Sequence, residues 1–250
     1  MKLLIIILTL LSERYLIHTV SETRFKWFPN YVGNLTSKFS QTGLLKNSYI
    51  ALILFVLPVL LVVWVVFVLV GHLLFGLFGF LISFIIFYYC IGPENPFYPN
   101  STPANELENE LSAGNYFAKV NNELFAIIFW FIFIGPLGVL FYRVVSLCMQ
   151  YEVTQRAATN IINILDWPTA RITLMLYLFV GNFLKGFNYY RQMFLSSPKN
   201  NDAMLSTGGL LAARGQDEEV VTLPYAQSLV ECALIVYLIL IALLTLSTWL

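Results

Sequence analysis

Residues 49–70 form an uncharged apolar run, and residues 73–90 form a second one almost directly after it. A bilayer core about 30 Å thick requires about 20 apolar residues of helix. Together the two runs are too long for one helix at any ordinary tilt. Only Gly71-His72 separates them, which predicts a helical hairpin turning there. Pro58 lies inside the first run and supplies no N–H, so a kink is expected at that point. A third span is predicted over residues 124–142, containing Gly135, Pro136 and Gly138, and a fourth over residues 229–250 with Glu231 near its entrance. The expected fold class is therefore an all-α polytopic membrane protein with one membrane domain covering residues 1–250.

Composition agrees. Of the 250 residues 58% are hydrophobic and only 11% charged, whereas soluble domains carry about 25% charged residues. Fourteen Lys/Arg balance fourteen Asp/Glu, so there is no basic excess to neutralise a phosphate backbone, and a nucleic-acid partner is excluded. His18, His72, Cys90, Cys148 and Cys232 show no metal-ligand or CxxC spacing. No metal or other cofactor is expected. The chain also lacks GxSxG, P-loop and HExxH patterns.

Two shorter apolar segments read differently. Residues 3–11 (LLIIILTLL) end at Ser12-Glu13-Arg14 without a small-x-small cleavage pattern, which predicts an uncleaved, partly inserted amino-terminal helix. Residues 172–184 suit a short buried or re-entrant helix better than a crossing. Residues 107–120 have the spacing of an amphipathic helix, and residues 143–171 read as a helix ending at LDWPTAR. Residues 196–224, rich in Ser, Asn, Gly and charge, read as a mobile polar loop. With four spans the Lys/Arg residues divide seven to each side, so the charge rule does not orient the chain.

Charged groups near membrane depth are candidates for function because each costs about 2.5–3.5 kcal/mol to insert. Glu13 and Arg14 face a polar cavity if the first helix enters the bilayer, or sit at the interface if it stops before them. Arg143 either reaches into the bundle with its five-donor guanidinium or snorkels outward as an anchor. Asp166 stands just before Pro168, a favoured first-turn residue, and could cap a helix starting there. Arg171, five residues on, is poorly spaced to pair with Asp166. A helix amino terminus beside an arginine suits an anion; a capped helix with a surface arginine is the plainer alternative.

The order of these pieces carries a resemblance. An apolar run ending SERY (12–15), the segment FPNYVG (28–33), an apolar hairpin, GPLGVLFYR (135–143) and ILDWPTARIT (164–173) together resemble the AmpE family. These are inner-membrane proteins implicated in regulating β-lactamase induction, within the wider CobD/CbiB superfamily. The resemblance covers roughly residues 1–185. The CobD/CbiB enzymes join an aminopropanol or its phosphate to a corrinoid carboxylate. This chain keeps the GPLG stretch and the aromatic-basic pair Tyr142-Arg143 but lacks the Asn-Thr-Leu-Asp that follows in those enzymes. It has the single Asp166 in place of paired aspartates, and Asn122-Glu123 without the Asp-Gly of the first acidic segment. Such carboxylates would hold a divalent metal or activate an amine. Their loss implies a binding protein of the bacterial inner membrane that senses an anionic small molecule and acts through a regulatory partner. Glu13, Arg14, Arg143, Asp166 and Arg171 would form its site. A ligase or transferase of the CobD/CbiB kind and a small transporter are the alternatives.

Overall fold

The computed structural model describes residues 2–15, 24–39, 44–71, 76–91, 106–215 and 220–247. Among them the chain is helical throughout, with no strand. It divides into two units, Met1–Asn95 with Ile127–Leu165, and Pro96–Ala126 with Asp166–Leu250.

In the first unit, α1 (Lys2–Tyr15) packs on α4 (Leu77–Cys90), and α7 (Pro136–Cys148) packs on both α4 and α3 (Ser48–Val70). Helix α3 starts where the Asn47 side chain accepts the Tyr49 N–H at 3.0 Å, a side-chain cap for an otherwise unpaired donor. Its 23 residues rise about 34 Å, enough to cross. Ala51, Leu52, Phe55 and Val56 are buried, while Ile53, Leu61, Trp64, Val68 and Leu69 point outward. A helix apolar on all sides with most of its surface bare is built for lipid. Pro58 deprives the Leu54 carbonyl of its donor, and one residue along, the Tyr31 hydroxyl of α2 (Trp27–Phe39) donates to the Phe55 carbonyl at 3.0 Å. The core is aromatic: the Phe87 and Phe131 rings lie 4.6 Å apart.

In the second unit, α10 (Asn201–Ala213) packs on α5 (Glu106–Val120), α9 (Phe183–Met193) and α11 (Leu223–Ser247). Small residues allow the close approach. A Cβ on Gly209 would fall 2.5 Å from the Phe117 ring, and one on Gly208 would fall 2.6 Å from Leu174. Phe117 stacks near Tyr177 at 5.0 Å, and Phe125 contacts both Tyr177 and Tyr237. An ion pair joins Arg214 to Glu110.

Among the described residues three helical stretches are long and apolar enough to cross a membrane: Ser48–Val70, Glu110–Phe133 and Leu223–Ser247. The first and last match predicted spans, although residues 248–250 lie outside the described set. The span expected at residues 124–142 is replaced. The helix that begins as α5 continues through a π turn at Asn121–Phe125 into α6 (Ala126–Phe133), then breaks at Gly135. Gly135 has φ 92° and ψ −160°, a region open essentially to glycine alone, and Pro136 opens α7 at its first turn. Helix α4 has 14 residues, about 21 Å, less than a crossing needs. His72, the expected hairpin turn, lies outside the described residues.

Two further expectations are revised. No helix starts at Pro168; it lies inside α8 (Glu152–Val180), which runs on through residues 172–180. Asp166 is thus a helix-interior residue and not a cap. Where a mobile loop was expected at residues 196–224, α10 forms and buries Met204, Leu205 and Ala212.

Candidate functional site

Each unit holds a buried arginine node. In the first, two guanidinium groups converge on the carboxyl end of α4. Arg24 donates from Nη1 to the carbonyls of Tyr88 and Ile91, both at 3.2 Å, and Arg143 donates from Nε to the Cys90 carbonyl at 3.0 Å. The last carbonyls of a helix have no intrahelical donor and sit at the negative end of its dipole, so cations are favoured there. Arg24 lies over the Tyr88 ring at 4.5 Å and Arg143 lies 5.8 Å from that of Phe25. The Tyr89 hydroxyl donates back to the Arg24 carbonyl. Arg143 is 4% exposed, so it neither snorkels nor stands on a surface. Beside this node an apolar cleft of about 430 Å³ is lined by residues that include Trp27, Tyr31, Pro58, Ile85 and Cys90.

The node of the second unit is built on Arg171, which is 3% exposed. Its Nε donates to the Phe194 carbonyl at 3.1 Å. Nη1 donates to the Trp167 carbonyl at 3.0 Å and to Asn201 Oδ1 at 2.5 Å. Nη2 donates to the Ser196 carbonyl at 3.0 Å and to its hydroxyl at 3.2 Å. A guanidinium has five N–H groups, and all five are engaged by the chain. The Trp167 ring lies under the guanidinium at 4.5 Å, and its Nε1 donates to the Ser196 carbonyl at 3.1 Å. Arg171 therefore clasps the connector 194–201, between α9 and α10, onto α8. Burial pulls the guanidinium below its ordinary pKa, with Tyr190 opposing that shift; it stays charged at neutral pH.

Of the residues expected to share a site, Asp166 and Arg171 belong to the second unit and Arg143 to the first. Asp166 is 3% exposed, and its carbonyl accepts the Thr169 hydroxyl at 3.1 Å. Glu13 and Arg14 lie in α1, with their side chains outside the described set. Among the described residues no group of three or more His, Cys, Asp or Glu is placed to hold a metal ion.

Arg24, Ser196 and Asn201 were not anticipated as partners. The signal at Arg24 is an arginine set among Phe25, Trp27 and Phe28, with Lys26 between them. Ser196 and Asn201 stood in a stretch whose Ser-Pro and Asn-Asn pairs read only as loop. A third polar group lies at the π turn. The Thr173 hydroxyl donates to Asn121 Oδ1 at 2.8 Å, and Tyr177 donates to the Phe117 carbonyl at 3.2 Å. Turns of this kind often mark functional positions in helices.

In comparisons with known proteins, no family model, curated protein or solved structure matches the chain.

Proposed function

We propose that this chain is an inner-membrane regulatory protein of the AmpE kind, which senses an anionic ligand and modulates a cell-envelope or β-lactamase-induction response. The reading is supported by one coincidence. Two segments that carry the resemblance, GPLGVLFYR and LDWPTAR, hold three of the four charged residues buried among the described ones, Arg143, Asp166 and Arg171, with Arg24 the fourth. Burying charge is costly unless each group is fully satisfied, and Arg171 meets that condition entirely through its own chain.

That saturation shapes the mechanism. An anion reaching Arg171 must displace one of its present acceptors, because no N–H remains unused, and Ser196 holds both positions of Nη2. Binding and release of the connector 194–201 are then one event. A carboxylate or phosphate offers the paired oxygens that a guanidinium fork prefers, so it competes with the Ser196 carbonyl and hydroxyl on favourable terms. The connector is the bistable element and the ligand biases it. A regulatory partner would read the freed connector.

The test is ligand-dependent thermal stabilisation of the detergent-purified protein. The probes are muropeptide-like cell-wall fragments, aminopropanol phosphate with a corrinoid acid, and nucleotides. Ligand at 100 times Kd adds about 2.7 kcal/mol. Stabilisation by cell-wall fragments that weakens in Arg171→Lys supports the reading. Stabilisation by the corrinoid pair would replace it with the ligase, and no stabilisation by any probe would overturn it.

A further inference from the structure

Helix α9 and its flanks carry a side-chain surface that borders the Arg171 node, which holds Phe194 only by its backbone carbonyl. Phe179, Phe183, Phe187, Tyr190 and Phe194 follow one another at helical spacing, with ring centroids 5.8, 4.8, 6.4 and 5.6 Å apart. Phe179, Phe187 and Phe194 are exposed, and Leu184 and Leu195 are each 83% exposed. The packed side adjoins the stripe: Gly186 meets Leu178, and the Tyr189 hydroxyl reaches the Ala203 carbonyl at 3.4 Å. Leu184, Phe187 and Leu195 thus face outward with Arg191 beside them, while Phe183 and Tyr190 are half-buried at the edge of the packed side.

Its charge has one sign. Arg191 and Lys199 are exposed, Lys185 donates to the Gly215 carbonyl, and no acid occurs between residues 183 and 201. On a helical projection Arg191 lies beside the aromatic stripe, next to Leu184. Eleven residues rise about 16 Å, far short of a crossing. A short amphipathic helix with an aromatic and leucine face flanked by cations is the form that lies in the plane of a membrane surface.

We propose that α9 docks in the lipid–water interface of an anionic leaflet. The ring stripe and the two leucines enter the boundary between headgroups and acyl chains, and Arg191 and Lys199 meet lipid phosphates. The aliphatic stem of Arg191 covers apolar surface while its head reaches the phosphate layer. This reading is independent of the ligand assigned to Arg171.

The full-length protein is reconstituted into vesicles of phosphatidylcholine alone, or of equal parts phosphatidylcholine and phosphatidylglycerol. An environment-sensitive fluorophore is placed at Phe187→Cys in a Cys232→Ser background, with Leu184→Cys as a second reporter. Nitroxide quenchers sit high or low on the acyl chain. The expected result is stronger quenching by the high nitroxide in anionic vesicles. The docked-to-undocked ratio should fall about fivefold for each charge removed by Arg191→Gln or Lys199→Gln. Stronger quenching by the low nitroxide would make α9 re-entrant and overturn the proposal. So would labels shielded from both quenchers, which places a protein on the stripe, or quenching indifferent to lipid charge and to both substitutions.

Discussion

Arg171 Nη2 holds both the carbonyl and the hydroxyl of Ser196, at 3.0 and 3.2 Å, across 25 positions of sequence. Two functional groups of one residue are gripped by one guanidinium nitrogen, so the connector is fixed in place and in rotation. Losing the hydroxyl alone should be mild, and losing the guanidinium severe. Ser196→Ala is expected to cost about 1 kcal/mol. Arg171→Ala removes five hydrogen bonds from a charged donor and is expected to cost about 3 kcal/mol or more, with new proteolytic cleavage confined to residues 194–201. Thermal unfolding in detergent and limited proteolysis check both.

The small residues of α10 are packing devices. Gly209→Ala puts a methyl group 2.5 Å from the buried Phe117 ring, and overpacking of this kind costs about 1–3 kcal/mol. Gly33 in α2 has nothing within 4 Å of an added Cβ. Gly33→Ala should stabilise by about 0.4–1 kcal/mol. Opposite signs for the same chemical change are the expected outcome of a paired melting experiment.

Legibility followed physical cause. α3 and α11 could be read because an apolar run of membrane length, uncharged in α3 and carrying only Glu231 in α11, has few other fates. The π turn at Asn121–Phe125 joins a polar amphipathic segment to an apolar one, and a sequence window sees two elements there. Pro168 read as a helix start because a first turn tolerates its missing N–H; it lies inside α8 instead, where the carbonyl it cannot serve is that of Ile164. Gly208-Gly209 fell within the stretch read as a loop because glycine signals both flexibility and close approach, and only the side chains of Leu174 and Phe117 distinguish them. Arg143 and Arg171 were legible as candidates, but their partners were not: the carbonyls of Cys90, Phe194 and Ser196 are backbone, and backbone leaves no trace in residue identity.

The break between α6 and α7 isolates a pure backbone effect. Gly135 has open space around it but a φ of 92° with ψ at −160°. Gly135→Ala should therefore cost about 1–3 kcal/mol without any clash. Gly76, at φ 87° and ψ 4°, lies in the left-handed region, where an added side chain costs only about 1–2 kcal/mol. The two alanine variants, compared by chemical denaturation, should rank in that order.

At the end of α4, Arg24 and Arg143 divide three carbonyls between them. Arg143→Met is expected to cost about 1.5–3 kcal/mol, the range for a hydrogen bond from a charged donor. The double variant with Arg24→Met should depart from additivity by about 0.5–3 kcal/mol, because both cations act on one helix terminus. A double-mutant cycle on thermal stability measures this directly.

Hydrogen exchange at residues 194–201, with and without a muropeptide-like fragment, tests the exchange of Ser196 for ligand on Arg171. The account predicts faster exchange in that connector when the fragment binds, while the protein as a whole becomes more stable. Stabilisation with exchange in the connector unchanged or slowed would contradict it, because the ligand would then be bound without opening the Arg171 clasp.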